Sequence, residues 1–217
     1  MTRRMADPDF HRDQRDRLRD RHVGPINDFV ESLRDKDRRG WIPYLAPLHG
    51  GVEARVLSVL RDPGSMTQEV SGSSFLCIEN DDPTAERQCE LFGEVGVSPH
   101  DITPWNAYPW YINRKPIAAE LDAGAVVLRD LLKLLPGLKI VLLQGNEAHS
   151  VWERTLKLRA TPQWVRELEV AQCVHPSPQG LWTADPAERA ERVRRQRLAY
   201  QQVGDALGRV RGESSPT

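Results

Sequence analysis

The stretch from Val56 to Gly64 constrains the fold most, because a short apolar run stops abruptly at an Asp-Pro-Gly turn. The run is rich in Val and Leu and has the length of a buried strand. Pro63 lacks a backbone donor and favours an extended conformation at Asp62, so the strand ends there. In open parallel α/β sheets, ligands bind in the crevice outside the carboxyl ends of the strands. Asp62 is therefore a candidate site residue, although Asp-Pro-Gly is also ordinary turn chemistry.

Composition indicates a globular chain with one main domain. The 217 residues are 28% charged and 39% hydrophobic, which is sufficient for a real core. No apolar run reaches the length of a membrane span, and no apolar segment opens the chain, so we expect a cytoplasmic protein without a membrane partner. The net charge of -1 argues against non-specific coating of nucleic acid, but it leaves room for a local basic face.

The cysteine pattern excludes the common metal sites. Cys77, Cys89 and Cys173 are widely separated, and no C-x-x-C pair occurs. A zinc ribbon or a four-cysteine iron–sulfur site cannot be built from them within this chain. We therefore expect no metal and no cofactor, and we interpret the three cysteines as buried thiols.

The order of elements predicts an α/β fold. Residues 1–22 alternate Arg and Asp and are expected to be a disordered lead-in; a single domain follows at 23–211, with a disordered tail at 212–217. Apolar runs predict strands near 54–60, 101–105, 138–143 and 169–174, and amphipathic helical segments separate them. Crossovers of this length favour parallel pairing. The expected architecture is a three-layer α/β/α sandwich with a central four-stranded parallel sheet.

Polar residues follow each predicted strand, at the edge where ligands bind in such sheets. They are Asp62, Asn106, Gln144 and His175, of which we assign Gln144 to a turn outside the site. Asn106 has a donor and an acceptor for one edge of a base, and Phe75 in a nearby loop could stack on its face. His175 can donate to an oxygen on which negative charge develops, and Asp62 can polarise a water.

These residues carry a resemblance to a known family. Leu-Arg-Asp62-Pro-Gly, Asn106 and His175-Pro-Ser-Pro occur in the order of the motifs of the uracil-DNA glycosylase superfamily, and the resemblance covers roughly residues 50–207. It implies that Asp62 activates water and stabilises an oxocarbenium-like sugar. It further implies that Phe75 stacks on a flipped uracil and that Asn106 reads the uracil edge. His175 would then stabilise the leaving uracil anion.

The same resemblance implies contacts with DNA and a wider base pocket. Ser177 corresponds to a clamp on the phosphate beside the lesion, and Pro178 and Gln179 lie in the loop that enters the duplex, with Leu181 nearby. Gly64 replaces the Tyr that excludes thymine in the most uracil-specific branch, so 5-substituted uracils would fit. Branches with this Gly usually have Asn at the position of Asp62, so the subfamily stays open.

The resemblance therefore implies a monofunctional DNA glycosylase of base excision repair, acting as a monomer on DNA containing uracil. Monofunctional chemistry is expected because no Lys nucleophile matches the family motifs. One alternative is a non-catalytic module of the same fold that binds nucleic acid or a base. Another is a hydrolase of small nucleosides, whose substrate binding would lack the steep salt dependence of a DNA enzyme.

Overall fold

The computed structural model describes residues 2–34 and 36–213, and within them a central parallel sheet organises the chain. The strands are Tyr44–Leu45 (β1), Val56–Leu60 (β2), Phe75–Leu76 (β3), Ile102–Asn106 (β4), Ile140–Gln144 (β5) and Glu169–Cys173 (β6). The helices are Pro8–Asp16 (α1), Gly24–Leu33 (α2), Pro83–Glu94 (α3), Ala118–Leu132 (α4), Asn146–Lys157 (α5), Pro178–Leu181 (α6) and Pro186–Glu213 (α7). Four strands form the main sheet in the order β4-β2-β5-β6, and all neighbouring pairs are parallel.

The two faces of this sheet bury different helices, because successive side chains of a strand point to opposite faces. On one face Leu57, Val59 and their neighbours pack with residues of α2, α4 and α5. On the other face Val56 and its neighbours pack with residues of α3 and α7, including Phe92 and Tyr200. The predicted three-layer α/β/α sandwich with a four-stranded parallel sheet is confirmed.

The turns that begin helices follow from local sequence. Asp82 precedes α3, and its carboxylate accepts hydrogen bonds from the backbone N–H groups of Thr84 and Ala85 at 2.8 and 2.9 Å. Pro83 occupies the first helical position, where a missing N–H costs nothing. This capped turn fixes the start of α3 beside the carboxyl end of the main sheet, where α3 contributes to the site described below.

A small second sheet was not predicted. Strands β1 and β3 pair in parallel, with Tyr44 opposite Phe75 and Leu45 opposite Leu76. Each strand has only two residues and lies in a segment rich in Pro, Gly or Ser, so sequence periodicity gives no signal for it. This pairing joins two segments for which no secondary structure was predicted.

The N-terminal segment is folded, which corrects the prediction of a disordered lead-in at residues 1–22. Arg4 forms a two-point ion pair with the buried Glu79, at 2.7 and 2.6 Å. Met5 is buried, and its backbone N–H donates to the Glu79 carbonyl at 3.0 Å. Within α1, the side chain of Gln14 accepts from the Leu48 backbone N–H at 2.7 Å. The segment docks mainly through polar contacts, which an argument from low apolar content cannot detect.

Helix α7 closes the described chain. It packs against β6, β5 and α3, with Tyr200, Val203 and Leu207 buried. The predicted disordered tail at 212–217 begins inside this helix, which extends to Glu213, and positions 214–217 lie outside the described residues. Of the helices described, none is both long and apolar enough to traverse a bilayer.

Candidate active site

A cavity of about 630 Å³ lies at the carboxyl end of the main sheet, where the sequence predicted a site. This volume is in the range of ~300–1,000 Å³ typical of small-molecule sites. The ends of β2 and β4, the turn after β2, the start of α3 and the segment before α6 all contribute to its wall. The predicted site residues that line it are Asp62, Gly64, Asn106, His175, Ser177, Pro178 and Gln179.

Asp62 is a buried carboxylate paired with a cation. Its side chain is only 3% exposed, and the Nε of Arg61 donates a hydrogen bond to its Oδ1. Burial raises the pKa of Asp62 above its ordinary value, while Arg61 and the backbone N–H of Asn113 oppose that rise. The negative charge of Glu147 also raises this pKa. The carboxylate therefore sits where its charge is weakly screened, which increases its effect on a nearby developing cation.

His175 is neutral, and its hydrogen bonding fixes which ring nitrogen carries the proton. The backbone N–H of Ser177 donates to Nδ1 of His175 at 3.1 Å, so the proton of the neutral ring is on Nε2. Burial lowers the pKa of His175 to about 4, and the positive charge of Arg61 acts in the same direction. At neutral pH the ring is thus an uncharged hydrogen-bond donor through Nε2.

Asn106 is the clearest sign of a binding site. It ends β4, is 1% exposed and lines the cavity. Neither its Oδ1 nor its Nδ2 has a hydrogen-bond partner among the described residues. A buried polar group without a partner costs about 1–3 kcal/mol. A ligand with one donor and one acceptor side by side would satisfy both atoms of this amide.

Phe75 does not line the cavity, which corrects its predicted role in stacking on a base. Its side chain is 1% exposed and packs in a separate apolar cluster with Met5 and Ala46. The ring of His11 meets it edge-on, with the ring centroids 5.8 Å apart. The next residue of β3, Leu76, lies on the cavity wall instead. Adjacent strand residues face opposite sides, so only one of the two can reach the cavity.

Two glycines in the cavity wall, Gly64 and Gly180, differ in whether a side chain would fit at their position. Gly64 is exposed and has ordinary backbone angles, and a Cβ built there would meet no atom within 4 Å. A Cβ at Gly180 would lie 2.3 Å from the carbonyl oxygen of His175. Position 64 therefore has open space for a side chain or for part of a ligand, whereas position 180 accepts only Gly without a shift of the backbone.

The segment after His175 forms the rim of the cavity. Ser177 is the N-cap of α6, and its Oγ accepts from the backbone N–H of Gly180 at 3.1 Å. This bond leaves the Ser177 hydroxyl hydrogen free to donate. Pro178 and Gln179 follow it and are exposed. The rim thus presents a hydroxyl and two exposed side chains to solvent, immediately beside the neutral histidine.

An exposed tryptophan follows this rim, and sequence analysis did not single it out. Trp182 is 65% exposed. Nη1 of Arg192 donates to the carbonyl oxygens of Trp182 and Gly180, at 2.9 and 3.3 Å. Nη2 of Arg189 donates to the carbonyl oxygen of Thr183 at 2.8 Å. Two arginines of α7 therefore fix the backbone that carries the exposed indole.

Two charged residues of the cavity wall, Arg61 and Glu147, were also not predicted from the sequence. Arg61 lies within the motif that pointed to Asp62, but no pattern in that motif assigns it a role. Glu147 follows the turn at Gly145, is 15% exposed and pairs with Lys115 at 3.2 Å. Across residues 2–34 and 36–213, no cluster of three or more His, Cys, Asp or Glu could hold a metal ion.

The fold and the cavity together define an α/β protein with a carboxylate, an amide and a neutral histidine converging at the carboxyl edge of a parallel sheet. A family model described as the uracil DNA glycosylase superfamily matches residues 47–199. The match covers well over half of the chain, and the protein belongs to this superfamily. No individual curated protein matches the sequence.

Proposed function

We propose that this protein is a monofunctional DNA glycosylase that hydrolyses the N-glycosidic bond of uracil in DNA and leaves an abasic site. Membership of the superfamily supports glycosylase chemistry in general. The observation that supports uracil as the base is the unpartnered amide of Asn106 in the cavity wall. Uracil has a carbonyl oxygen beside a ring N–H, and an asparagine amide offers the complementary donor and acceptor.

The proposed reaction breaks the bond between C1′ of the sugar and N1 of uracil. The electron pair leaves with N1, so negative charge develops on the base and positive charge develops on the sugar. The Nε2–H of His175 donates to the base oxygen that gains charge, and the carboxylate of Asp62 stabilises the sugar cation. A water adds to C1′ and gives up a proton, for which Asp62 is the candidate acceptor.

A monofunctional course is proposed because a bifunctional glycosylase needs an amine that can form an imine with C1′. Among the described residues that line the cavity, there is no lysine. Water is then the nucleophile, and the sugar–phosphate backbone stays intact. We further propose that the protein acts as a monomer, since all the groups used in this reaction come from one chain.

The proposed contacts with DNA lie on the rim. A base within a duplex cannot reach the cavity unless it leaves the stack, which costs a few kcal/mol. The hydroxyl of Ser177 is placed to donate to a phosphate, and Pro178 and Gln179 are the exposed residues beside it. Trp182 adds an aromatic surface on which a base can stack. Between positions 186 and 197 of α7, five arginines outnumber two glutamates, which favours a polyanion.

The test is cleavage of labelled oligonucleotides that carry one uracil, single-stranded or opposite G or A, followed by alkali to break abasic sites. Matched strands carry thymine, hypoxanthine, cytosine or 5-hydroxymethyluracil, and free deoxyuridine is included. We expect strand scission with uracil-type bases only, with a rate that falls as salt increases. Salt-sensitive DNA binding without scission would instead indicate a binding module, and hydrolysis of deoxyuridine alone would indicate a nucleoside hydrolase.

A further inference from the structure

Arg61 differs in charge from every other ionised residue of the cavity wall. Of the described residues that line the cavity, only Arg61 is a lysine or an arginine, whereas three are carboxylic acids, namely Asp62, Asp82 and Glu147. A DNA substrate brings a row of phosphates to this wall, and three carboxylates oppose its approach. Arg61 is therefore the residue of the wall that attracts an anion.

The guanidinium of Arg61 makes only a single-point contact with Asp62. Its Nε donates to Oδ1 of Asp62, and neither Nη group donates to any residue in the described part of the chain. The adjacent pair of Arg129 and Asp130 on α4 differs, because Nε and Nη2 of Arg129 donate to the two carboxylate oxygens at 3.0 and 2.9 Å. Such two-point contacts are frequent between guanidinium and carboxylate groups. Arg61 thus keeps both Nη groups for another acceptor.

The position of Arg61 places these donors at the opening of the cavity. Arg61 directly follows β2, and its carbonyl oxygen accepts a hydrogen bond from the backbone N–H of Tyr108 at 3.0 Å. Its side chain is 41% exposed, whereas that of Asp62 is 3% exposed. The end of the sheet therefore fixes the backbone of Arg61, while its side chain extends from a buried carboxylate to solvent.

The proposed substrate brings an anion to the same place. In the proposed reaction, the carboxylate of Asp62 stabilises positive charge on the sugar of the flipped nucleotide. That sugar carries phosphates on its 3′ and 5′ oxygens, so a phosphodiester arrives whenever the sugar approaches Asp62. Because Nε of Arg61 is bonded to Asp62, the Nη groups of Arg61 are free donors on the exposed side of that carboxylate.

The positive charge of Arg61 opposes the proposed reaction unless an anion balances it. A guanidinium beside Asp62 offsets part of the carboxylate's negative charge, and it repels the positive charge that develops on the sugar. A phosphate bound to the Nη groups neutralises the guanidinium, so the charge of Asp62 then acts on the sugar without that opposition. Free deoxyuridine has no phosphate and leaves the guanidinium unbalanced. The same contact therefore favours DNA over a nucleoside.

We propose that Arg61 binds a phosphodiester of the flipped nucleotide through its Nη groups while its Nε holds the carboxylate of Asp62. This inference rests on the proposed function and adds a residue that recognises DNA at the reacting nucleotide itself. Arginine suits this task because its planar guanidinium presents fixed donors to two anions at once, whereas the ammonium of lysine is a point charge on a flexible stem.

The test combines a variant of Arg61 with a matched change in the DNA. Three strands carry one uracil: an unmodified strand, and two strands in which a neutral methylphosphonate replaces the phosphodiester on the 5′ or the 3′ side of the deoxyuridine. Single-turnover release of uracil is measured for the wild type, Arg61→Met and Arg129→Met. The pH lies above the acid limb of each pH–rate profile, so that Asp62 is ionised in all three proteins.

We expect the wild type to lose about tenfold or more in rate with one of the two methylphosphonate strands. Arg61→Met should be slower on the unmodified strand by at least a similar factor, and the same methylphosphonate should lower its rate further by less than about threefold. Two changes that remove one contact are not additive. Arg129→Met should behave as the wild type on all three strands, because Arg129 lies outside the cavity.

Two results would overturn this inference. One is an equal loss from the methylphosphonate in the wild type and in Arg61→Met, and the other is a wild type that neither methylphosphonate slows. Failure of the proposed function is a different outcome, in which the wild type releases no uracil from the unmodified strand.

Binding to the same three strands tests the contact independently of activity. These strands carry 2′-fluoro-2′-deoxyuridine, whose electron-withdrawing fluorine opposes positive charge on the sugar and so suppresses release of the base. Affinity is measured by fluorescence anisotropy at one salt concentration. The wild type should again lose about tenfold with one methylphosphonate, and Arg61→Met less than about threefold. Equal losses of affinity in the two proteins would exclude the contact.

Discussion

The backbone N–H of Ser177 donates a hydrogen bond to Nδ1 of His175, 3.1 Å away. The two residues are separated by Pro176 alone, so the bond is made within one turn of the chain. Because Nδ1 accepts this bond, the proton of the neutral ring is on Nε2. Because burial lowers the pKa of His175 to about 4, the ring is neutral throughout the physiological range. A glycosylase that expels an anion benefits from such a donor, which is in position before charge develops.

His175→Ala should lower the single-turnover rate of uracil release by at least ~100-fold, because it removes the donor to the developing base anion. The fold should persist, since the only side-chain bond lost is local. His149→Ala is the matched control, because His149 is exposed on α5 outside the cavity. Rates are measured with the uracil oligonucleotide, and circular dichroism checks the fold. A His175→Ala enzyme with nearly the wild-type rate would exclude the assigned role.

The rate of uracil release should depend on the ionisation of Asp62. Arg61 should determine the pH at which this rate declines on acidification. Asp62→Asn should lower the rate by at least ~100-fold. Since the carboxylate must be ionised, the rate falls as pH falls through the pKa of Asp62, which burial raises. Arg61→Met removes the cation that opposes this rise, so the acid limb should move to higher pH, with Arg61→Lys between the two. Identical pH–rate profiles for all three proteins would contradict this coupling.

Gly64→Tyr should narrow the range of accepted bases without unfolding the protein. A Cβ at this position meets no atom within 4 Å, and the backbone angles suit any residue. We expect the variant to keep activity on uracil and to lose at least ~10-fold on 5-hydroxymethyluracil, by filling the space for a 5-substituent. Gly180→Ala is the contrasting variant, because its Cβ would collide with the His175 carbonyl and should disturb cleavage of every base. Equal rates on both bases in Gly64→Tyr would show that the substituent lies elsewhere.

Acidification should destabilise the fold through His49. This side chain is fully buried; Nδ1 bonds to the Pro99 carbonyl at 3.2 Å and Nε2 accepts from the Ile78 N–H at 3.3 Å. Burial lowers its pKa from 6.5 to about 4, so the unfolded chain binds a proton more readily than the folded chain does. Stability is therefore full above pH 6.5 and is lost as pH falls toward 4.

The contribution of His49 corresponds to a loss of about 2 kcal/mol between pH 7.5 and pH 5. It is measured as the change in the free energy of unfolding by urea at the two pH values. The glutamine of His49→Gln is neutral at both pH values. The variant should therefore have a lower free energy of unfolding overall, but that free energy should fall less on acidification than in the wild type. His175 shifts in the same direction and is retained in both proteins. An equal decrease in the free energy of unfolding in wild type and variant would mean that His49 does not control the acid sensitivity of the fold.

Sequence reasoning located the main sheet and most of the cavity because both depend on contiguous features. Strand β2 is an uninterrupted apolar run, and Asp62 and His175 each follow such a strand, so their common edge could be predicted. Phe75 was misplaced because β3 has two residues, and a pair of adjacent apolar side chains does not indicate which one faces the cavity. Gln144 was expected in a turn but ends β5, where it is fully buried.

Features that depend on contacts between distant segments were not predictable. A buried hydrogen-bond network of Ser58, Gln88, Gln144 and Tyr200 joins four elements, and no single stretch of sequence contains its pattern. The docking of α1 likewise depends on polar contacts with residues far along the chain. Trp182 is exposed only because of the path that the backbone takes after α6, and one Trp in a sequence is more often buried.

Trp182→Ala should impair cleavage of duplex DNA more than cleavage of single strands. A flipped base leaves a gap in the duplex stack, and an exposed indole on a backbone fixed by Arg192 can offset part of that loss. Base–aromatic stacking contributes about 1–3 kcal/mol, so kcat/KM on a U·G duplex should fall by about tenfold or more. A single-stranded substrate needs no flipping from a duplex stack, and its kcat/KM should change less than about threefold. Leu198→Ala is the control for loss of an exposed apolar side chain on α7. Equal losses on the two substrates would assign Trp182 to general DNA affinity, and no loss on either would remove it from the DNA interface.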